Sequence, residues 1–190
     1  MNVVKRVFRL MFDFERAEEW LNVMASRGWM MESFICGLFT FSKGTPGDYY
    51  YRMELLPHYA GSAANKPYLS FAEETGVELV CVWVKWAVYR KKASEGTFDI
   101  YTDASSRLAH YRRAFRFLLF FCLVEWGLAL WAGCSLIYAL LADRSFMGYP
   151  SGLYTFIVLF GGIIGVLIFR GARKAHQKYR RLKHAEPFLE

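Results

Sequence analysis

The side chains that most often do chemistry, thiols and imidazoles, are scattered along this chain of 190 residues. A metal site needs Cys or His ligands at short regular spacings, and a nucleophilic thiol needs a neighbouring base. No such spacing occurs among the eight residues concerned, which are Cys36, Cys81, Cys122, Cys134, His58, His110, His176 and His184. The sequence therefore predicts no metal, no cofactor and no catalytic residue, and it predicts reduced intracellular thiols.

Glu125 is the single charged residue in two long apolar stretches, residues 117–142 and 149–169. Each stretch exceeds the roughly 20 residues that a helix needs to cross a membrane. A carboxylate at that depth is costly and marks a position of functional or structural importance. Transport is one interpretation, and hydrogen bonding within a helix pair or an oligomer is the other. We favour the second, because the stretches hold no further charge that would relay protons.

Small residues spaced by four recur in both stretches, as Ala129-x-x-x-Gly133 and Gly161-x-x-x-Gly165. This spacing lets two helices approach closely. The two spans are predicted to form an antiparallel helical hairpin. The small residues either pack the two spans on each other or pair the hairpin with a second copy, and the sequence leaves both open.

The net charge of +7 is concentrated beside these stretches. Residues 1–106 hold 12 Lys or Arg and 13 Asp or Glu, whereas residues 107–190 hold 12 and 4. Because Lys and Arg near a span resist translocation, we expect a two-span protein of the inner or plasma membrane with both termini cytoplasmic. The residues predicted to meet lipid headgroups are Arg112, Arg113, Arg116, Arg173 and Lys174. A basic stripe for nucleic acid is missing from residues 1–106.

The elements that precede the spans follow from the period of the apolar residues, which predicts an α+β domain over residues 1–92. Asp13 caps a helix that ends before Gly28, and Glu18 and Asn22 lie on the polar side of that helix. The elements are, in order, a strand in 3–12, this helix, strands in 29–36, 38–43 and 49–55, a helix in 67–76, and strands in 79–84 and 86–92.

A shift of 48 residues places the first part of this domain on the second, with Gly28 on Gly76 and Leu38 on Trp86. We interpret the match as two β-α-β-β repeats, residues 1–44 and 48–92; chance similarity is the alternative. Joined edge to edge, they would form one antiparallel sheet of about six strands with both helices on one face. Residues 93–116 are predicted as a linker and basic juxtamembrane helix, and residues 170–190 as a basic cytoplasmic tail.

Charged and aromatic side chains alternate on the predicted strands. Arg52, Glu54, Trp86 and Arg90 form a candidate patch for a ligand or partner, if the sheet face opposite the helices is exposed. The alternative is that the aromatic residues fill the core, as is ordinary for aromatics at a spacing of two. We favour the core.

Several short runs of the sequence form a recognisable set. They are Phe8-Arg9-Leu10, Trp20-Leu21-x-x-Met24-Ala25-x-x-Gly28-Trp29, Phe39-Thr40-Phe41-x-Lys43-Gly44-x-Pro46, Tyr51-Arg52, Trp86-x-x-Tyr89-Arg90-Lys91 and Ile100-Tyr101-Thr102-Asp103. This set, over about residues 5–105, resembles the bacterial family known as domain of unknown function 2812. Val77 departs from it, since the family commonly has Trp there. The resemblance implies the same domain, followed in several members by two spans, and no known activity.

Three classes of function fit these features. We favour a membrane-anchored cytoplasmic sensory or adaptor protein that binds without catalysing a reaction. The alternatives are an accessory subunit of a membrane transporter, with Glu125 meeting a partner's cation, and an enzyme acting on lipid or wall precursors, for which a recognisable acid and base are missing. The expected partners are the bilayer and another membrane protein or a second copy, with a small ligand as a further candidate.

Overall fold

The computed structural model of the protein describes residues 3–10, 12–74, 76–96, 98–101, 103–142 and 151–185. The chain divides into two compact units, unit 1 (Met1–His110) and unit 2 (Tyr111–Glu190). The loop predicted at 143–148 and the end of the predicted tail, 186–190, lie outside the described residues. The elements are, in order, β1 (Val4–Phe8), α1 (Phe14–Ser26), β2 (Trp29–Ile35), β3 (Leu38–Lys43), β4 (Tyr49–Leu55), α2 (Lys66–Glu74), β5 (Glu78–Trp83), β6 (Trp86–Lys92), α3 (Ala104–Ala142) and α4 (Ser151–Ala185).

The described strands form two antiparallel sheets of three. Sheet A has the order β1-β3-β2, and sheet B has the order β4-β6-β5. The predicted α+β class followed by a helical hairpin is confirmed. The arrangement of the strands differs from the prediction, because they form two sheets in place of one sheet of about six strands.

The two sheets repeat each other in local detail as well as in strand order. The pairing register shifts at Glu32 in β2 and at Val80 in β5, which are 48 residues apart. The hairpin turns begin at Cys36 (φ +48°) and Val84 (φ +57°), again 48 residues apart and the two non-glycine residues with positive φ among those described. Two β-α-β-β units of one design therefore make up the sheets of unit 1.

The edge of β4 explains why the sheets do not join there. β4 is an edge strand of sheet B, and its outward backbone groups need partners. Asn22 of α1 accepts a hydrogen bond from the backbone N–H of Tyr51 (2.8 Å) and donates one to its carbonyl (3.1 Å). The Glu18 carboxylate accepts a hydrogen bond from the N–H of Met53 (2.9 Å). Side chains of α1 thus occupy positions that a neighbouring strand would otherwise fill.

The two helices cover opposite faces of sheet B, which differs from the predicted single helical face. Neighbouring residues of a strand point to opposite faces. Val88 of β6 packs in one core cluster with the buried side of α1, whereas Ala87 and Tyr89 pack in a second cluster with Ala72 of α2. Sheet B is therefore covered on both faces, and α1 also covers the inner face of sheet A, where it contacts Phe39 and its neighbours.

Unit 2 is an antiparallel pair of helices. The ring of Phe115 lies 4.6 Å from that of His176, and the ring of Trp131 lies 6.0 Å from that of Tyr154. Residues near the start of this part of α3 therefore meet the later part of α4. Buried or half-buried positions of α3 recur at spacings of three and four, the pattern of a helix–helix seam, and include Leu118, Cys122, Glu125, Ala129, Ala132, Ser135 and Ala139.

The outer surface of this helix pair is apolar and exposed. Its side chains include Phe120, Leu123, Leu130, Leu140, Phe156, Leu159 and Ile163, each more than half exposed. Of the described residues, two helices are long and apolar enough to cross a membrane, Ala104–Leu141 and Gly152–Ala185. Little of either apolar window is buried inside the protein, unlike the core helix of a soluble protein.

Candidate functional site

The four residues of the predicted patch do not lie together. Arg52 and Glu54 are on one face of sheet B, and Trp86 and Arg90 are on the other. Arg90 pairs with Tyr51, the residue before Arg52, and consecutive residues of a strand point to opposite faces. Glu54 is fully buried, and the Tyr68 hydroxyl lies 2.9 and 2.8 Å from its two carboxylate oxygens, which share the single hydroxyl hydrogen. It serves the packing of α2 on the sheet.

Trp86 and Arg90 both have partners within unit 1. The Trp86 ring lies 5.7 Å from the ring of Phe14. The Arg90 guanidinium binds the Glu78 carboxylate with two hydrogen bonds (2.8 and 2.6 Å) and lies over the ring of Tyr49. This bidentate contact raises the pKa of Arg90 and lowers that of Glu78. These contacts hold the Arg90 side chain against residues of the neighbouring strands β4 and β5.

Arg52 belongs to a polar junction between α1, β4 and the segment that leads to α3. One of its guanidinium nitrogens lies 3.2 Å from a carboxylate oxygen of Glu18, and its Nε donates to the Phe98 carbonyl (2.9 Å). We call Glu18, Asn22 and Arg52 the α1–β4 junction. It holds a titratable carboxylate, a cation and an amide within hydrogen-bonding distance of one strand edge.

Glu18 is the acid of this junction, and its pKa is shifted strongly. Burial raises its pKa from the ordinary 4.5 to about 7, although the Met53 N–H and the Arg52 cation oppose that rise. The sequence analysis missed both Glu18 and Asn22, since polar residues on a helix were assigned to its solvent side. A usable signal was their spacing of four, which aligns two hydrogen-bonding side chains on one helix face.

In unit 2, Glu125 of α3 contacts the small residues of α4, two features that the sequence did not connect. A Cβ placed on Gly161 would lie 2.6 Å from a carboxylate oxygen of Glu125, and one placed on Gly165 would overlap the indole of Trp126. The small residues of α4 thus make room for these two larger side chains of α3. Gly133 of the first small-residue pair lies beside Val158, at 3.9 Å on the same measure, and Ala129 is half-buried.

The predicted headgroup residues lie at one end of the helix pair, since the contact between Phe115 and His176 brings their segments together. Arg112, Arg116 and Arg173 are exposed, and Arg113 and Lys174 are half-buried. In the described part of the chain no group of three His, Cys, Asp or Glu residues is arranged to hold a metal ion.

These features define a class of protein that combines two β-α-β-β units with a helical hairpin whose outer surface is apolar. The chain belongs to the family described as Protein of unknown function (DUF2812), whose sequence profile matches residues 13–123. The match runs from α1 into the first part of the apolar stretch of α3. No curated protein and no solved structure matches the chain.

Substitution of Gly165 tests the seam of unit 2. We expect Gly165→Ala to lower the stability of the helix pair by about 1–3 kcal/mol, because the added methyl group overlaps the Trp126 ring and separates the helices. Gly162→Ala is the matched control, since a Cβ there meets nothing within 4 Å. The measurement is the thermal unfolding midpoint of the full chain in mild detergent. Equal midpoints for the two variants would contradict this packing.

Proposed function

We propose that this protein is a membrane-anchored binding protein, in which α3 and α4 cross the inner or plasma membrane and unit 1 acts as a sensory or adaptor module on the cytoplasmic side. The observation that carries the proposal is the apolar outer surface of the helix pair, which suits contact with lipid chains. The basic residues at one end of the pair support an orientation with that end on the cytoplasmic side.

A binding role for unit 1 is supported by the way its charged side chains are used. The carboxylates of Glu18, Glu78 and Asp99 form ion pairs with Arg52, Arg90 and Arg107 within the unit. These contacts stabilise the fold and the start of α3, so these six side chains serve unit 1 itself. Exposed apolar residues such as Phe8 and Ile35 are the candidates for contact with a partner. We therefore propose binding of a partner protein, without turnover, as the activity of the unit.

Purification from the native membrane tests this function. Full-length tagged protein is extracted in mild detergent and its stoichiometric partners are measured by mass spectrometry, with Glu125→Gln in parallel. We expect a partner to co-purify with both forms, because unit 1 makes the contact. Recovery of the protein alone, or only as a self-oligomer, would contradict the proposal.

An accessory transporter subunit is the second candidate, and the half-buried carboxylate of Glu125 in the helix seam is the observation that favours it. It predicts the opposite result for the variant. Loss of the partner from Glu125→Gln, with retention by the wild type, would place the contact within the membrane.

A further inference from the structure

The outer face of sheet A carries a row of exposed large apolar side chains. Phe8 of β1 pairs with Leu38 of β3, which pairs in turn with Ile35 of β2. These three side chains, here called the outer row, are 66%, 41% and 61% exposed. Leu10, just beyond β1, is also half exposed. A row of large apolar side chains open to solvent is a mark of an interaction surface.

The duplication of the fold supplies the equivalent row in sheet B. There Leu55 pairs with Trp86, which pairs with Trp83. The equivalence is fixed by a shared hydrogen bond at the end of each row. The N–H of Arg9 donates to the Gly37 carbonyl (2.7 Å) in sheet A, and the N–H of Leu56 donates to the Lys85 carbonyl (2.8 Å) in sheet B.

The row in sheet B is covered by aromatic side chains from other elements. The ring of Phe14 lies 5.7 Å from that of Trp86, and the ring of Phe34 lies 5.2 Å from that of Trp83. Phe14 is the first residue of α1 and stands between Asp13 and Glu15. The row in sheet B thus accepts aromatic side chains, one from strand β2 and one from the first turn of a helix, where carboxylates flank it.

The charge around the outer row suits the same occupant. Arg6 is on the outer face, two residues along β1 from Phe8, and its strand partner Thr40 is uncharged. Of the three cations in residues 3–10, Lys5 and Arg9 lie over the rings of Trp29 and Trp20, and Arg6 is the one on the outer face. Glu32 is also exposed, and its carboxylate accepts a hydrogen bond from the Ser42 hydroxyl. Ser42 is four residues along β3 from Leu38, so this contact lies away from the outer row. A second copy would bring Arg6 as well as Glu32 to this surface, so a helix with carboxylates in its first turn is the more complementary occupant.

We propose that the outer row of sheet A is the docking site for a helix of a partner protein whose first turn presents an aromatic side chain beside carboxylates. The aromatic ring packs on Phe8 and Leu38, and the carboxylates lie near Arg6. This inference rests on the proposed binding role of unit 1 and specifies the chemistry of the partner.

The test uses the full chain in nanodiscs of neutral phosphatidylcholine and a synthetic helical peptide with the sequence of residues 12–26 of this protein. We expect the peptide to bind, and the double variant Ile35→Ser with Leu38→Ser to bind it at least about tenfold more weakly. Arg6→Glu, which leaves the apolar row intact, should also weaken binding. Val23→Ser is the matched control, because Val23 is an exposed apolar residue on α1.

A peptide in which the residue corresponding to Phe14 is alanine should bind at least about tenfold more weakly than its parent. Equal binding of the two peptides, or of wild type and double variant, would overturn the inference. The inference would also be overturned if the wild type bound phosphatidylglycerol vesicles and not the peptide, and the double variant lost the vesicle binding. If the peptide fails while a partner still co-purifies from the native membrane, the inference falls and the proposed function stands.

Discussion

Replacing Asn22 with leucine is expected to expose the edge of β4 and to lower the free energy of unfolding of unit 1 by about 3 kcal/mol. The side chain satisfies both the N–H and the carbonyl of Tyr51 (2.8 and 3.1 Å). Each partly buried backbone group left without a partner costs about 1–3 kcal/mol. Leucine has similar size, so the loss reflects the hydrogen bonds more than the packing.

Hydrogen exchange of the full chain, resolved at single amides, measures this effect. In Asn22→Leu the Tyr51 amide should exchange about a hundredfold faster, because 1.4 kcal/mol corresponds to a factor of ten. The Met53 amide, which donates to Glu18, should keep most of its protection relative to Tyr51. Glu19→Leu is the control on an exposed position of the same helix. Unchanged protection at Tyr51 would show that Asn22 does not cover the strand edge.

The second large effect is a pH dependence that Glu18 gives to the stability of unit 1. Its pKa is raised by burial to about 7 in the folded chain, against an ordinary value of 4.5. The folded state therefore holds this proton more tightly than the unfolded state. The resulting stabilisation is complete below about pH 4.5 and is lost as the pH rises through 7.

Urea unfolding of the detergent-solubilised chain between pH 4.5 and 8 tests this prediction. Relative to Glu18→Gln, which stays neutral, the wild type should lose up to about 3 kcal/mol across that range. The carboxyls of Glu78 and Asp103 have lowered pKa values, so their contributions change at more acidic pH and do not overlap this window. Parallel pH profiles for the two proteins would contradict a raised pKa at Glu18.

The secondary structure of unit 1 followed closely from its sequence because each element carries a local signal. β3 and β6 have the predicted bounds, and α1 begins after the Asp13 cap, whose side chain accepts from the Arg16 N–H. β1 is shorter than predicted, Val4–Phe8 in place of 3–12. Residues beyond Phe8 have the same β-forming composition, so the end of pairing with β3 sets this boundary.

The arrangement of the sheets was not readable in the same way, because it depends on contacts between residues far apart in the chain. Asn22 meets Tyr51 across 29 residues, and Glu18 meets Met53 across 35. Periodicity describes the faces of one element and does not say which edge another element covers. For the same reason Glu54 alternates like an exposed residue, although the Tyr68 hydroxyl from α2 makes it part of the interior.

In unit 2 the sequence marked the individual residues but not their pairing. Glu125 and the Gly161 pair were each identifiable from composition, whereas their contact follows from the register of α3 against α4. The outer row of sheet A was also missed, because Phe8, Leu38 and Ile35 read as ordinary strand residues until the structure shows which face is covered.

The four cysteines provide a direct probe of the proposed membrane arrangement. Cys36 is exposed in the β2–β3 turn. Cys81 is half-buried, and burial raises its pKa to about 11, which lowers the reactive thiolate fraction at neutral pH. Cys122 is buried in the helix pair, and Cys134 lies on its apolar outer surface, which is shielded by lipid in the proposed arrangement. A charged, membrane-impermeant maleimide should therefore label Cys36 selectively.

The measurement that tests the central claim most directly is this labelling in alkali-washed right-side-out and inside-out membrane vesicles, with Cys36→Ser as the control. We predict that the protein stays with the membrane and that Cys36 is labelled in the inside-out vesicles alone. Release of the protein by the alkaline wash would contradict membrane anchorage. Labelling of Cys36 in right-side-out vesicles would contradict a cytoplasmic unit 1.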